Sequence, residues 1–357
     1  MSYLNVTEVE SAIQALSATY PSLCEFITLP NATHEGRTSH AIRIGLGALD
    51  HRPSILFIGG QHAREWGSCE ICINFAADLL EAYTLGTGLA YGGKSYTAAE
   101  IQRIIEQTQV FVFPCVNPDG RHHSQTSYAM WRKNRNPINA VDLNRNYDFL
   151  WDFRTAFSPS AVPPASDVPS SDVFHGTAPA SEPETRNVVW LLDSYPQIRW
   201  MIDIHSYSKL LYTVWGDDEN QTTVACQNFL NAVHHGARGV SGDAYGEFIP
   251  AGDRAASQCL TAQMQSAIQA VRGVIYTTGQ SYELYPTSGT ATDYPYSRHL
   301  ADPSKTKTLG FLIEWGTEFQ PPWSEMENVI LDVSSALIAF SLAAPCSCSI
   351  TEASLLT

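Results

Sequence analysis

Short apolar runs recur along the chain and alternate with stretches in which apolar residues have helical spacing. Runs of the length typical of buried strands are found at 54–58, 110–116, 200–204 and 309–313. Shorter runs predict further strands at 24–29, 40–46, 210–215 and 273–278. Helical spacing and start signals predict helices over 5–20, 66–83, 98–107, 181–194, 222–235, 255–271 and 325–343. Loops are expected at 85–95, 148–180 and 280–297.

This alternation determines the expected fold class. It predicts an α/β protein with one mixed, mostly parallel twisted sheet of about eight strands and helices on both faces. We expect a single domain over 1–343, because the candidate site residues are spread from 62 to 314. A C-terminal tail is expected over 344–357.

The chain is acidic, with 21 Lys and Arg against 36 Asp and Glu and a formal net charge of −15. A basic surface for nucleic acid or for an anionic membrane is therefore not expected. No apolar run approaches the roughly 20 residues of a membrane span, and the first residues lack the basic start and apolar core of a signal peptide. We expect a soluble monomer, cytoplasmic as the sequence is written, or secreted if it is the mature part of a precursor.

Candidate chemistry lies just after three of the apolar runs. His62 and Glu65 follow the run at 54–58, and an imidazole and a carboxylate at this spacing can bind one cation such as zinc. A catalytic zinc needs a third protein ligand, for which His205, directly after 200–204, is the best candidate. Glu314 ends the run at 309–313 and could act as the base. Open α/β sheets place their sites past the carboxyl ends of strands, so these groups are expected to meet.

Other polar groups have a structural and a functional interpretation. The segment 130–147 is rich in Arg and Asn, and it is either a solvated loop or a wall that binds anions through guanidinium groups. Cys69 and Cys72 lie on a helical apolar stripe, which favours buried core thiols over a metal or redox site. His34 is expected to be a turn residue rather than a functional one.

Several short motifs occur in an order that resembles the zinc carboxypeptidases of the carboxypeptidase A type, over about residues 3–343. They are His-Ala-Arg-Glu-Trp at 62–66, Asn-Pro-Asp-Gly at 117–120, Trp-Arg-Lys at 131–133, Asp-Leu-Asn-Arg-Asn at 142–146, His-Ser-Tyr-Ser at 205–208, Tyr-Pro-Thr-Ser-Gly at 285–289 and Glu314. The combination is far more specific than any one motif.

The resemblance implies a metal centre with one zinc ion and three protein ligands: His62, Glu65 and His205. It implies that Asp142 orients His62, in line with the tendency of ligating histidines to donate their second nitrogen to a carboxylate. Glu314 is then the general base, and Arg132 stabilises the negative charge that develops on the substrate's carbonyl oxygen.

Substrate contacts follow from the same resemblance. Three residues are implied to hold the terminal carboxylate of a peptide: Asn144, Arg145 and Tyr285. Three more are implied to line the subsite before the scissile bond: Arg64, Ser206 and Tyr207. Thr292 falls at the floor of the pocket for the C-terminal side chain. The resemblance also implies a cis peptide bond between Ser206 and Tyr207.

The expected function is hydrolysis of the last peptide bond of peptides or proteins. Because Thr292 is neutral, apolar or aromatic C-terminal residues are expected to be preferred, although Glu283 could admit Arg if it faced the pocket instead of solvent. A zinc amidase that acts on N-acyl amino acids or γ-linked peptides is one alternative. An inactive peptide-binding protein is another.

Overall fold

The structure is a computed structural model that describes residues 2–47 and 52–353, with side chains described as far as Cys346. Residues 354–357 of the expected tail lie outside the described part. The strands are β1 (Cys24–Thr28), β2 (His40–Ile44), β3 (Ser54–Gly59), β4 (Leu89–Tyr91), β5 (Lys94–Tyr96), β6 (Gln109–Phe113), β7 (Ile198–Ser206), β8 (Leu210–Thr213), β9 (Gln221–Thr222), β10 (Glu247–Phe248), β11 (Thr277–Gln280) and β12 (Leu309–Trp315). The α-helices are α1 (Val6–Thr19), α2 (Gly67–Leu85), α3 (Ala98–Gln107), α4 (Pro118–Thr126), α5 (Phe153–Ala156), α6 (Pro183–Ser194), α7 (Ala251–Arg272), α8 (Tyr294–Ala301) and α9 (Trp323–Ala353).

Eight of these strands form one mixed sheet in the order β1-β2-β6-β3-β7-β12-β8-β11. The four central strands, β6, β3, β7 and β12, run parallel to one another, and β11 is parallel to β8. The other neighbouring pairs are antiparallel. The expected mixed and mostly parallel sheet is thus confirmed.

Both faces of the sheet are covered, as a buried parallel sheet requires. Along β3, Ile55 and Phe57 point into one core cluster, which also contains apolar residues of α2, α7 and α9. Leu56 and Ile58 point into a second cluster, completed by Val188 and other residues of α6. All four β3 side chains are fully buried, so the strand reads as a continuous apolar run.

Most predicted elements are present with shifted ends. The expected loops at 85–95 and 280–297 contain the β4–β5 hairpin and the start of α8, and the turn signal at 117–120 opens the short helix α4. The closing helix extends beyond its expected end, to Ala353. Cys69 and Cys72 are fully buried in the core, as predicted.

The helix predicted over 222–235 is wrong. The segment consists of turns with a single 3-10 turn at Ala232–His234. Phe229 packs against the core, but Val224, Leu230 and Val233 are exposed, so the segment has no continuous apolar face to pack as a helix. The side chains of Asn228 and Asn231 accept hydrogen bonds from nearby backbone N–H groups, which compete with helical bonds.

Among the described residues, one helix is long and apolar enough to cross a membrane by length and composition, although polar residues interrupt its apolar runs. It is the 323–346 part of α9. Most of this stretch is buried inside the protein, where it packs against α2 and α7. Its apolar character is therefore explained by its place in the core.

Candidate active site

The turn that follows β3 brings two donor side chains to the end of the sheet. Gly60 has a φ of +68°, and a Cβ at this position would lie 3.0 Å from Sγ of Cys69, so glycine is favoured where the chain leaves the strand. The turn is held by a 2.9 Å hydrogen bond from Ala63 N to the Arg132 carbonyl. His62 and Glu65 are both buried here, just before α2 begins.

Two neighbouring parallel strands supply the other central groups. In the register of β7 and β12, Glu314 lies directly opposite His205. Gly59, at the end of β3, lies opposite Ile204. His62, Glu65, His205 and Glu314 therefore meet at the carboxyl ends of β3, β7 and β12, as the sequence predicts.

Three donor groups converge closely enough to hold one metal ion. Nδ1 of His62 lies 2.8 Å from Oε1 of Glu65, Nδ1 of His205 lies 2.8 Å from Oε2 of Glu65, and the two nitrogens are 3.0 Å apart. Two imidazole nitrogens and a carboxylate form a donor set found in catalytic zinc sites. The residues therefore fit one Zn²⁺ ion.

Carboxylates hold the second nitrogen of each histidine. Nε2 of His62 lies 3.1 Å from Oδ1 of Asp142, and Nε2 of His205 lies 2.6 Å from Oδ2 of Asp203. Such contacts fix the tautomer that leaves Nδ1 free to bind metal. Asp142 lies where the resemblance implies, whereas Asp203 was not among the predicted site residues.

A signal for Asp203 exists in the sequence. It is the one charged residue within the run at 200–204, and it lies two positions before His205, on the same side of the strand. A buried carboxylate needs partners. Nε2 of Gln61 donates a second hydrogen bond to Oδ2 of Asp203, and the Tyr147 hydroxyl donates to Oε1 of Gln61.

The charges around the donors favour their ionised forms. Burial opposes ionisation of Glu65, but the neighbouring histidines outweigh it and lower the pKa of this carboxyl. Burial also opposes ionisation of Asp142, yet Arg132 and His62 hold its pKa well below the usual value. For His205, Asp203 and Glu65 outweigh burial and raise the pKa.

Glu314 differs from these groups. Burial, together with the negative charge of Glu65, raises the pKa of Glu314 to about 8. A carboxylate with a raised pKa accepts a proton more readily than one that is stabilised by an ion pair. Glu314 also lines the cavity, so its location suits a general base.

Arg132 lies at the same cavity and is held by Asp142. Its Nε and Nη2 atoms donate to Oδ2 of Asp142 at 3.1 and 2.8 Å. Asp142 thus contacts both a candidate zinc ligand and the candidate oxyanion-binding residue. Since only one edge of the guanidinium is used, Nη1 remains to face the cavity.

The candidate clamp for a terminal carboxylate lines the same cavity, and Nδ2 of Asn144 lies 3.4 Å from Nε2 of His205. Arg145 is buried, with its Nε donating to the Pro164 carbonyl and its guanidinium 5.7 Å from the ring centroid of Tyr285. The side-chain oxygen of Asn144 accepts a bond from Ala291 N at 2.8 Å. Tyr285 is 42% exposed at the entrance. All three residues line the cavity.

The cavity measures about 230 Å³, and much of its lining is neutral. Thr292 lies there, 2% exposed, with five other neutral residues: Ser281, Leu284, Thr287, Thr290 and Leu312. Glu283 does not line this cavity. It accepts a hydrogen bond from Gln280 N and borders a separate polar pocket instead.

The other side of the entrance contains the candidate residues for the subsite before the scissile bond. Arg64, Ser206 and Tyr207 all line the cavity. The guanidinium carbon of Arg64 lies 4.4 Å from the ring centroid of Phe319, which also packs edge-on against Tyr207 at 4.9 Å. The peptide bond between Ser206 and Tyr207 is cis, as the resemblance implies, and a second cis bond joins Val214 and Trp215.

An α/β sheet with two histidines, a ligating glutamate and a facing glutamate at its carboxyl edge defines a metal-dependent hydrolase. The chain belongs to the zinc carboxypeptidase family, whose sequence model matches residues 9–334.

Relatives of known name agree with this assignment. The chain is similar to metallocarboxypeptidase A of Trichophyton tonsurans, with 32% identity over 224 residues that cover 60% of this chain and 48% of that protein. It is also similar to carboxypeptidase B of Astacus astacus, with 30% identity over 252 residues that cover 66% of this chain and 75% of that protein. The chain thus spans about half the length of the fungal relative.

Solved structures show the same fold. Bovine thrombin-activatable fibrinolysis inhibitor, solved with a tick carboxypeptidase inhibitor, superposes with a TM-score of 0.71 at 20% identity, over 95% of this chain and 96% of that chain. Carboxypeptidase A of Helicoverpa armigera gives a TM-score of 0.71 at 20% identity, over 96% and 74% of the two chains.

Proposed function

We propose that this protein is an exopeptidase that hydrolyses the C-terminal peptide bond of peptides or proteins. One observation carries the proposal: a single cavity is lined by the candidate metal donors His62 and Glu65, by Glu314, and by the candidate clamp residues Asn144, Arg145 and Tyr285. A cationic clamp close to the metal selects a substrate with a free α-carboxylate, since guanidinium groups bind carboxylates strongly. The names of the fungal and crayfish relatives support the same reaction.

In this proposal each side chain has a separate role in the reaction. A bound Zn²⁺ would act as a Lewis acid that polarises the scissile carbonyl and makes water a better nucleophile. Glu314 takes a proton from the attacking water and passes it to the leaving amine. Arg132, oriented by Asp142, meets the charge that develops on the carbonyl oxygen.

The clamp residues position the substrate for this chemistry. Arg145 binds the terminal carboxylate and Asn144 adds a hydrogen bond. Tyr285 covers the substrate from the exposed side. Holding the substrate at both the carboxylate and the scissile carbonyl lowers the entropic cost of reaching the transition state.

The proposed preference is for apolar or aromatic C-terminal residues. The described cavity lining includes Thr292, Leu284 and Leu312, its acidic side chains are Glu65 and Glu314 at the candidate metal site, and Glu283 borders a different pocket. Burying a Phe or Leu side chain gains about 1.5 to 3 kcal/mol. A buried Lys or Arg without a partner loses several kcal/mol. The names of the relatives do not decide the preference, because both A and B types occur among them.

The proposal is tested with matched peptides that end in Phe, one with a free C-terminal carboxylate and one with an amide. We expect the free peptide to lose its last residue and the amidated peptide to remain intact. Turnover should stop when a chelator removes zinc and return when zinc is restored.

The same assay includes N-acyl amino acids and γ-linked peptides. Faster turnover of these substrates than of any α-linked peptide would favour the zinc amidase. Binding of peptides without turnover by the zinc-loaded protein would favour the inactive peptide-binding protein. Turnover that persists without metal would contradict the metal assignment.

A further inference from the structure

A second cluster of potential metal ligands lies outside the active site. We propose that His34, Glu182 and Glu184 form a second metal site that binds a zinc-like divalent transition ion. A ligand atom from each of the three residues lies within 4.8 Å of the others. None of the three lines the active-site cavity.

One donor distance in this cluster is close to those between the catalytic donors. Nε2 of His34 lies 2.8 Å from Oε2 of Glu182, and the donor atoms of the catalytic triad are 2.8 to 3.0 Å apart. One imidazole with two carboxylates suits Zn²⁺ or a similar ion. Ca²⁺ prefers about six to eight oxygen ligands, which this cluster does not supply.

The charge of the cluster is not balanced by protein cations. Glu182 and Glu184 are 2% and 0% exposed. Within residues 2–47 and 52–353, neither forms an ion pair with Lys or Arg, and the one titratable partner of Glu182 is His34. Asn134 donates to both carboxylates, at 2.7 and 3.2 Å, and Glu182 also accepts from Asn136 Nδ2 and Ser181 Oγ, but none of these donors carries a charge. Two adjacent buried carboxylates call for a cation.

An unused ligand atom supports this conclusion independently. Oε1 of Glu184 is fully buried and has no hydrogen-bond partner among the described residues. A buried carboxylate oxygen without a donor normally indicates a missing water, proton or ion.

The turn that carries His34 is held in place. Asp119 accepts hydrogen bonds from Thr33 Oγ1 and from Glu35 N, both at 2.8 Å. The His34 side chain is 25% exposed, which leaves a path for an ion to enter. His34 thus lies in a turn, as the sequence indicates, and the proposed metal site concerns the role of its side chain.

The site would stabilise the segment that leads to Arg132. Asn134, which donates to both glutamates, lies two residues after Arg132, and its side-chain oxygen accepts from Val141 N at 2.8 Å. A bound ion would therefore connect the turn at His34, the start of α6 and the loop that begins at Arg132. We expect the ion to stabilise the protein, because it would bind the folded state and not the unfolded chain.

The test measures zinc per chain after reconstitution with excess Zn²⁺ and removal of free metal. We expect two ions in the unmodified protein and one in His34→Ala. His122→Ala, which removes an exposed histidine, should retain two and controls for surface binding. Because Glu182 and Glu184 are buried, they are not the first choice for substitution; Glu184→Gln is an isosteric second variant, expected to hold one ion.

A His205→Ala background separates the two sites. This variant should bind one Zn²⁺, and its Tm should rise with zinc concentration. His34→Ala combined with His205→Ala should bind none and show no zinc-dependent rise. One ion per unmodified chain, or an unchanged count in His34→Ala, would overturn the proposal and leave a hydrogen-bonded cluster with a protonated Glu184. A loss of zinc in His122→Ala would equally point to surface binding.

Discussion

Oδ2 of Asp203 lies 2.6 Å from Nε2 of His205, in the same strand and two residues earlier. This contact orients the imidazole so that Nδ1 points towards Glu65 and His62. Asp142 does the same for His62, so each candidate histidine ligand has its own carboxylate. The metal centre therefore depends on two buried aspartates as well as on its three ligands.

The first prediction concerns Asp203→Asn. The amide cannot hold the imidazole with a full negative charge, so zinc affinity should fall by about 10- to 100-fold. Competition with a chromophoric chelator measures the affinity. Asp152→Asn, at an exposed position, is the control and should leave affinity unchanged. Equal affinities of Asp203→Asn and the unmodified protein would show that Asp203 has no role in zinc binding.

The second prediction is that Glu314→Gln loses at least about 100-fold in kcat, because an amide cannot accept the proton of water. Zinc content and KM should change little, since Glu314 is not one of the three metal donors. Glu283→Gln controls for the loss of an acidic side chain outside the active-site cavity and should retain activity. Retention of more than a tenth of kcat in Glu314→Gln would rule out an essential base at this position.

The central groups of the site could be predicted because two simple rules apply to them. Apolar runs mark buried parallel strands, and sites form past the carboxyl ends of such strands. His205 and Glu314 follow a run directly and His62 follows one after a short turn, so the sequence places them together. Their mutual distances could not be predicted, because these depend on the register of β7 and β12.

Asp203 and the 222–235 segment show why other parts could not be predicted. Asp203 lies inside an apolar run that predicts a buried strand. A buried charged residue needs a partner, but the sequence does not indicate which residue that partner is. In the segment around Val224, Leu230 and Val233, the apolar spacing is helical, yet these side chains are exposed. Periodicity indicates a helix only when a core is present to receive the apolar face.

The third prediction concerns the pH dependence of stability at Asp218. This residue is fully buried, and its carboxyl oxygens accept bonds from Asn220 N and Gly239 N. Burial raises the pKa of Asp218 to about 7. Because folding raises this pKa, the protonated carboxyl favours the folded state. Its contribution to the free energy of unfolding is fully present below the unfolded pKa, near 4, and is lost as the pH rises to about 7.

Asp218→Asn is neutral at every pH and should remove this dependence. Measured relative to the unmodified protein, the free energy of unfolding of Asp218→Asn should therefore increase by roughly 2 kcal/mol between pH 5 and pH 8. Urea unfolding of zinc-loaded samples at both pH values measures it. Asp152→Asn again serves as the control. A difference that stays constant with pH would mean that Asp218 titrates alike in the folded and unfolded states.

The fourth prediction concerns the C-terminal residue that is removed. Thr292 lines a cavity whose described acidic side chains are Glu65 and Glu314, at the candidate metal site. In the unmodified protein we expect kcat/KM to be higher for peptides ending in Phe or Leu than for those ending in Arg or Glu. A tenfold or greater advantage for Arg would contradict the neutral pocket.

Thr292→Asp tests the position of the pocket floor directly. A carboxylate there gives a buried Lys or Arg its partner, so the ratio of kcat/KM for Arg over Phe should rise by at least about tenfold, equivalent to roughly 1.4 kcal/mol. Thr292→Asn is the matched control, because it has nearly the same shape as Asp without the charge, and it should keep the apolar preference. If both variants changed the ratio equally, the effect would come from shape. If neither did, Thr292 would not contact the C-terminal side chain, and Leu284, Thr287 and Leu312 would be the next residues to examine for the floor.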